Sequence, residues 1–196
     1  MYELQTTITI NGNSYHICNN GDFRMVLDCF ECLNDTSIDI EARVYSALLI
    51  FYDDFISIEE LIEGFGENIV TAVEEMYKFF NCGDVFAGVE KPYKLIDWHD
   101  DSNIIVSAIN NVAGKEIRAE SFCHWWTFMA YYMEIGDCTL SQVVSIRDKI
   151  VKGKKLEKYE QEFRTDNPQY FDWKRHSESD QNDIDRIMSM WENGGN

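Results

Sequence analysis

Residues 22–33 read DFRMVLDCFECL, and within them Phe23, Val26, Leu27, Phe30 and Leu33 recur at the spacing that keeps one helix face apolar. Just upstream the period is different. Leu4, Thr6, Ile8 and Ile10 alternate with polar neighbours, Asn11-Gly12-Asn13 follows, and Tyr15 and Ile17 resume the alternation. A period of two on both sides of an Asn-Gly turn predicts a β-hairpin over residues 3–18. A lone hairpin is marginal in water, so this one is expected to lie on helices or on a partner's sheet edge. The change of period at Asp22 sets the expected fold class: mainly α, a helical bundle with an N-terminal β-hairpin.

Helical patterning continues downstream. A second helix over about 39–52 places Ile40, Val44, Ala47, Leu48 and Phe51 on one face. Ser57 with Glu60 has the form of a capping box for a short helix bearing Leu61 and Ile62, which Gly64 and Gly66 are expected to break. The next helix turns Ile69, Val73, Met76, Tyr77 and Phe80 inward and stops at Asn81-Cys82-Gly83. Residues 84–98 contain Gly88 and Pro92 and read as an irregular connection with a short strand at Lys94–Trp98. Asp100 or Ser102 then caps a helix whose apolar side is Ile104, Ile105, Ala108, Ile109 and Val112.

Residues 121–133, SFCHWWTFMAYYM, are apolar around nearly the whole circumference, which predicts a central helix buried on most sides. Gly136 stops it, and Thr139 with Gln142 is expected to cap a helix through Ile150. A charged helical stretch from Lys154 to Arg164 and Asn167-Pro168 close the domain. Residues 174–183 are polar enough for a linker. Beyond them Ile184, Ile187, Met188 and Trp191 stand at i, i+3, i+4 and i+7, one stripe on a helix too short to be stable alone. That stripe must dock on its own domain or on a partner. The expected organisation is a hairpin at 1–19, a helical domain at 20–173, a linker at 174–183 and a C-terminal amphipathic helix at 184–192.

The 196 residues suffice for one packed domain with a tail, and 45% of them are hydrophobic. The formal charge of −18 repels phosphate backbones and anionic lipid heads, so neither nucleic acid nor a membrane is an expected partner. The one basic cluster, Lys149, Lys152, Lys154, Lys155 and Lys158, reads as a solvated helix face. The acidity leaves three readings: a solubility device, a surface for a basic partner, or a nucleic-acid mimic. The N-terminal MYELQT lacks a basic n-region, and no run approaches the length of a membrane span. The cysteines at 18, 29, 32, 82, 123 and 138 are therefore expected to be reduced thiols in a cytosolic protein.

Chemistry is sparse. Cys29 and Cys32 have CxxC spacing, but no second pair completes a zinc site, and the pair sits inside an amphipathic helix. Both sulfurs point away from the Phe23–Phe30 stripe, onto a second surface that is either packed or partner-facing. His99 and Asp100, or Cys123 and His124, are residue types that hold metals or move protons, yet nothing in the sequence brings them together. No phosphate loop, nucleophile elbow or zincin motif occurs. The expectation is a non-enzyme without metal or cofactor. Its candidate partner contacts are Ile184, Ile187, Met188 and Trp191, with Cys29 and Cys32, while Trp125, Trp126 and Phe128 read as core.

Three segments carry a resemblance. His124-Trp125-Trp126-Thr127-Phe128 precedes a glycine-ended helix, and Val143-Val144-Ser145-Ile146-Arg147 follows it. Upstream, Asp97-Trp98-His99-Asp100-Asp101-Ser102-Asn103-Ile104-Ile105 leads into a helix of aliphatic and small residues. In order and spacing, residues 20–165 resemble the bacteriophage gene-product-fifteen family, small acidic helical proteins of the tail-morphogenesis region of long-tailed phages and prophages. The run Met129-Ala-Tyr-Tyr-Met133 departs from the aliphatic residues usual there. The resemblance implies a tail-assembly role in the host cytoplasm. The implied partner is the tape measure protein, or other phage tail proteins, and self-association into a homo-oligomer is a further expectation. A structural virion component or a small acidic regulator mimicking nucleic acid is the alternative.

Overall fold

In the computed structural model the described residues are 3–83 and 94–171, and they group into two compact units. Residues 3–83 and 122–129 form the first, and 94–121 and 130–171 the second. The expected linker and C-terminal helix at 174–192 lie outside the described residues. The chain is mainly α, as its periodicity implies, with a two-stranded antiparallel N-terminal hairpin.

The first unit opens with β1 (Thr7–Ile10) and β2 (Asn13–His16), paired from Thr7↔His16 to Ile10↔Asn13. The two-residue loop needs positive φ at both positions, and Asn11 (φ 50°) and Gly12 (φ 87°) supply it. Ile8, Ile10 and Ile17 are buried, whereas Leu4, expected on the same face, is exposed because it precedes the paired region. The hairpin rests on helices: Ile17 bridges to Tyr52, and Asp53 N–H donates to the His16 carbonyl at 3.0 Å. Tyr15 lies across Phe65, with ring centroids 4.8 Å apart.

Asn19, Asn20 and Gly21 then take successive left-handed conformations, tolerated by Asn and Gly, and turn the chain into α1 (Phe23–Asn34). Asp22 caps α1 by accepting from Arg24 N–H at 3.0 Å. α2 (Ile40–Phe51) is capped by Asp39 and buries Val44, Ala47, Leu48 and Phe51. α1 is buried on two sides: Met25 and Cys29 are as enclosed as Phe23 and Val26, so its apolar stripe is only half of its packing. α3 (Ile58–Phe65) is capped by Ser57, whose hydroxyl accepts from Glu60 N–H at 3.2 Å. Gly64 stays inside α3, where the Phe55 ring occupies the space a Cβ would need; Gly66 (φ 53°) ends the helix. α4 (Ile69–Phe80) buries Ala72, Val73, Met76, Phe79 and Phe80 and stops where Cys82 and Gly83 go left-handed.

The second unit begins with an irregular stretch at Lys94–Asp97. The strand expected at Lys94–Trp98 does not form, because side chains take the backbone groups a neighbouring strand would have taken. Asp101 accepts from Asp97 N–H, and Arg147 donates to the Leu95 carbonyl. α5 (Ser102–Ala113) follows, with Asp101 at its N-cap position rather than Asp100 or Ser102. Gly114 (φ 67°) ends α5. α5 packs on α7 (Thr139–Val151), burying Ile104, Ile105, Ala108 and Ile109 together with Leu140, Val143 and Ile146. α7 is capped at Cys138, whose N–H donates to Ser141 Oγ at 2.9 Å, one residue earlier than the expected Thr139–Gln142 pair. α8 (Lys158–Asp166) and the turn Pro168–Tyr170 complete the described chain. Lys149 pairs with Glu160 at 2.6 Å and Lys152 with Asp148 at 2.6 Å, so part of the basic cluster is locally neutralised.

α6 (Trp125–Met133) starts four residues later than the expected helix at 121–133. Residues 122–124 are extended instead, because Phe23 N–H donates to the Cys123 carbonyl at 2.9 Å and Asp22 bridges to His124. α6 is also not buried all round: Trp125 and Phe128 are enclosed, but Met133 is 73% exposed. Its apolar circumference includes tyrosine and methionine, which tolerate partial exposure, so burial on most sides was not required.

Candidate partner-binding surface

The motif residues build two polar knots inside apolar surroundings. In the first unit, Asp22 and His124 are both buried. Asp22 accepts from Arg24 N–H and from Cys123 N–H at 2.9 Å, which ties the start of α1 to the chain entering α6. His124 Nδ1 accepts from Trp126 N–H at 3.1 Å, capping α6. That acceptor role places the ring proton on Nε2, which donates to the Gln5 carbonyl at 2.9 Å. Burial holds the imidazole below its usual pKa, in keeping with a neutral ring using both nitrogens. The two indoles close the other end: Trp125 Nε1 donates to the Phe80 carbonyl and Trp126 Nε1 to the Phe79 carbonyl, both at 2.9 Å. These carbonyls stand in the last turn of α4, where intrahelical donors run out. The His-Trp-Trp motif is therefore an anchor, with each polar atom assigned to a backbone group.

The second knot joins the other two motif segments. Arg147, 1% exposed, meets Asp101, 2% exposed, in a bidentate pair with Nη1–Oδ2 at 2.6 Å and Nη2–Oδ1 at 3.0 Å. Its remaining donors reach the Leu95 carbonyl at 2.9 Å and the Tyr170 carbonyl at 2.9 and 2.6 Å. All five guanidinium N–H groups are engaged, which is how a charge this enclosed becomes tolerable. Arg147 thus fastens the start of α5 and the turn after α8 onto α7. Sequence reading passed over this pair. The available signal was Arg147 standing seven residues after Leu140 and four after Val143, a position the apolar stripe of α7 should own.

The candidate partner contacts fall in two groups. Ile184, Ile187, Met188 and Trp191 lie outside the described residues. Cys29 and Cys32 face α2: Cys29 Sγ lies 3.6 Å from the Ala47 carbonyl and Cys32 Sγ 3.7 Å from that of Arg43. Cys29 is fully enclosed, so of the two readings of this surface the packed one describes Cys29, while Cys32 is half-buried. Burial pushes the Cys29 thiol well up, away from the thiolate that metal binding and redox chemistry require. His99 and Asp100 belong to the second unit, Cys123 and His124 to the first. Among the described residues no cluster of three or more His, Cys, Asp or Glu has metal-site geometry, and no helix is long and apolar enough to cross a membrane.

What the described residues do offer a partner is apolar surface set in negative charge. Ile56 is 86% exposed immediately before the α3 cap, and Ile62 on α3 is 43% exposed. Of the two apolar residues the sequence places on this short helix, Leu61 packs inward with Phe65, and Ile62 turns outward.

The model of the family described as Bacteriophage Gp15 protein matches residues 1–170. No curated protein and no solved structure matches the chain. The match covers both polar knots and all three motif segments, and on that extent the chain belongs to the bacteriophage Gp15 family.

Proposed function

We propose that this phage protein is a non-catalytic tail-assembly chaperone that binds the tape measure protein in the host cytoplasm and keeps it soluble until the tail tube grows around it. Membership of the bacteriophage Gp15 family carries the reading, since the resemblance of these motifs implied a tail-assembly role. Three features support it. The polar chemistry of the motifs is spent on backbone anchoring, with Trp125, Trp126, His124 and Arg147 each bonded to carbonyls of the fold. Apolar side chains stand outward at Ile56 and Ile62. A charge of −18 gives the colloidal repulsion needed to keep a bound hydrophobic rod from precipitating. No cofactor is required by such a role.

Co-expression with the long helical tape measure protein of the same genome, followed by affinity capture and light scattering, tests this. The expected outcome is a soluble complex with several copies per rod, where the rod alone is insoluble. A tape measure protein that stays insoluble, with this protein monodisperse beside it, would remove the chaperone reading.

A further inference from the structure

Between Arg43 and Lys78 the chain carries no lysine, arginine or histidine, yet it contains eight aspartates and glutamates. α3 sits in the middle of this stretch. Glu59 and Glu63 stand four residues apart on α3, and Glu67 lies just past the break at Gly66; all three are exposed and none forms an ion pair among the described residues. Like charges at this spacing destabilise a helix by about 0.2–0.5 kcal/mol per pair. Glu59 is partly offset by the positive end of the helix, but Glu63 is too far along it to benefit. Beside this acidic pair run Ile58 and Ile62, also four apart, and Ile56 projects ahead of them. Ile56 is held there by a bond, its N–H donating to Glu60 Oε2 at 3.2 Å.

We propose that this outward side of α3, with Ile56, is a docking site for an amphipathic helix that carries lysine or arginine beside its apolar stripe. Apolar contact comes from Ile56 and Ile62, and the cations of the partner neutralise the Glu59–Glu63 pair. Charge selects the occupant. A second copy of this chain brings a net charge of −18 to the same surface, and the chain's own segment 184–196 brings Asp185 and Glu192 against Arg186 alone. Both are repelled where a basic helix is attracted. The inference deepens the proposed function by stating the chemistry of the segment recognised, and it rests on that reading only for the partner's identity.

The test uses the full chain and a fluorescently labelled synthetic peptide of about 15 residues, near the length at which isolated helices become marginally stable. The peptide has leucines at i, i+3, i+4 and i+7 with lysines on either side. Binding is read by anisotropy at about 0.15 M salt, where diffuse attraction is screened within about 8 Å. Wild-type protein should bind it. Ile56→Ser with Ile62→Ser, and separately Glu59→Lys with Glu63→Lys, should each weaken binding about tenfold or more, equivalent to 1.4 kcal/mol. Both pairs are exposed, so circular dichroism should be unchanged. A shuffled peptide of equal charge binding as tightly, or either variant binding as wild type does, would overturn the site. The same variants then enter tape-measure capture. Capture persisting in variants that have lost the peptide leaves the chaperone role standing and assigns it to another surface. Peptide binding on α3 without any capture by wild type retains the site and removes the tape measure protein as its partner.

Discussion

Arg147 and Asp101 show how a single buried charge can organise three segments. Removing the cation while leaving Asp101 enclosed strands a carboxylate, a change that typically costs about 3–5 kcal/mol. Arg147→Met should therefore lower the unfolding free energy obtained from urea titration by that order, and adding Asp101→Asn should restore part of it; a value within experimental error of wild type would show that the pair is not a fastener. His124 makes a pH prediction. Its folded pKa is depressed by burial, so the neutral ring contributes stability above the unfolded value of about 6.5, and that stability is lost as pH falls. The melting temperature should therefore fall below about pH 6.5. In His124→Gln, whose amide also donates and accepts, the fall should be smaller; an identical slope in the two proteins would place the titration elsewhere. Cys29 was readable from the sequence as a second-face residue, and Asp22 as the point where the period changes. That Asp22 also holds Cys123 was not, because the two are 101 residues apart.

At the scale of elements, period and capping signals located α1 to α5 closely. The failures share a cause, which is competition from side chains or backbone distant in sequence. The expected strand at Lys94–Trp98 lost its backbone groups to Asp101 and Arg147, and the first turn of the expected 121–133 helix was pulled out by Asp22 and Phe23. Gly21 marks the tightest junction. A Cβ there would lie 2.8 Å from Phe79 Cζ and 3.0 Å from His124 Nε2, and its φ of 78° disfavours any side chain. Gly21→Ala should destabilise by roughly 2–4 kcal/mol, combining backbone strain with overpacking between the turn before α1 and the chain entering α6. Calorimetry reads this directly, and a melting temperature equal to wild type would mean that the turn adjusts freely.

At the scale of the molecule, acidity and exposed apolar side chains have to be considered together. Acidic protein surface alone keeps a chain soluble; with outward isoleucines it also suits a partner that is basic and amphipathic. The C-terminal stripe gives an independent prediction. Met188→Ala with Trp191→Ala should weaken capture of the tape measure protein while leaving helicity unchanged, measured by pull-down and circular dichroism on the same preparations. Undiminished capture would remove the 184–191 stripe from the binding surface, without bearing on α3.

Local information determined a good deal here. Asn11-Gly12 encodes its own turn, Asp22, Asp39 and Ser57 cap the helices that follow them, and apolar spacing names most of the core, because these choices are settled within a few residues. Tertiary structure alone decided that the CxxC pair packs on α2, that His124 and both indoles serve backbone groups, and that Arg147 finds Asp101. Each of those outcomes depends on a buried polar atom finding a partner 2 to 119 residues away, and a one-dimensional pattern carries no record of which partner the fold will bring.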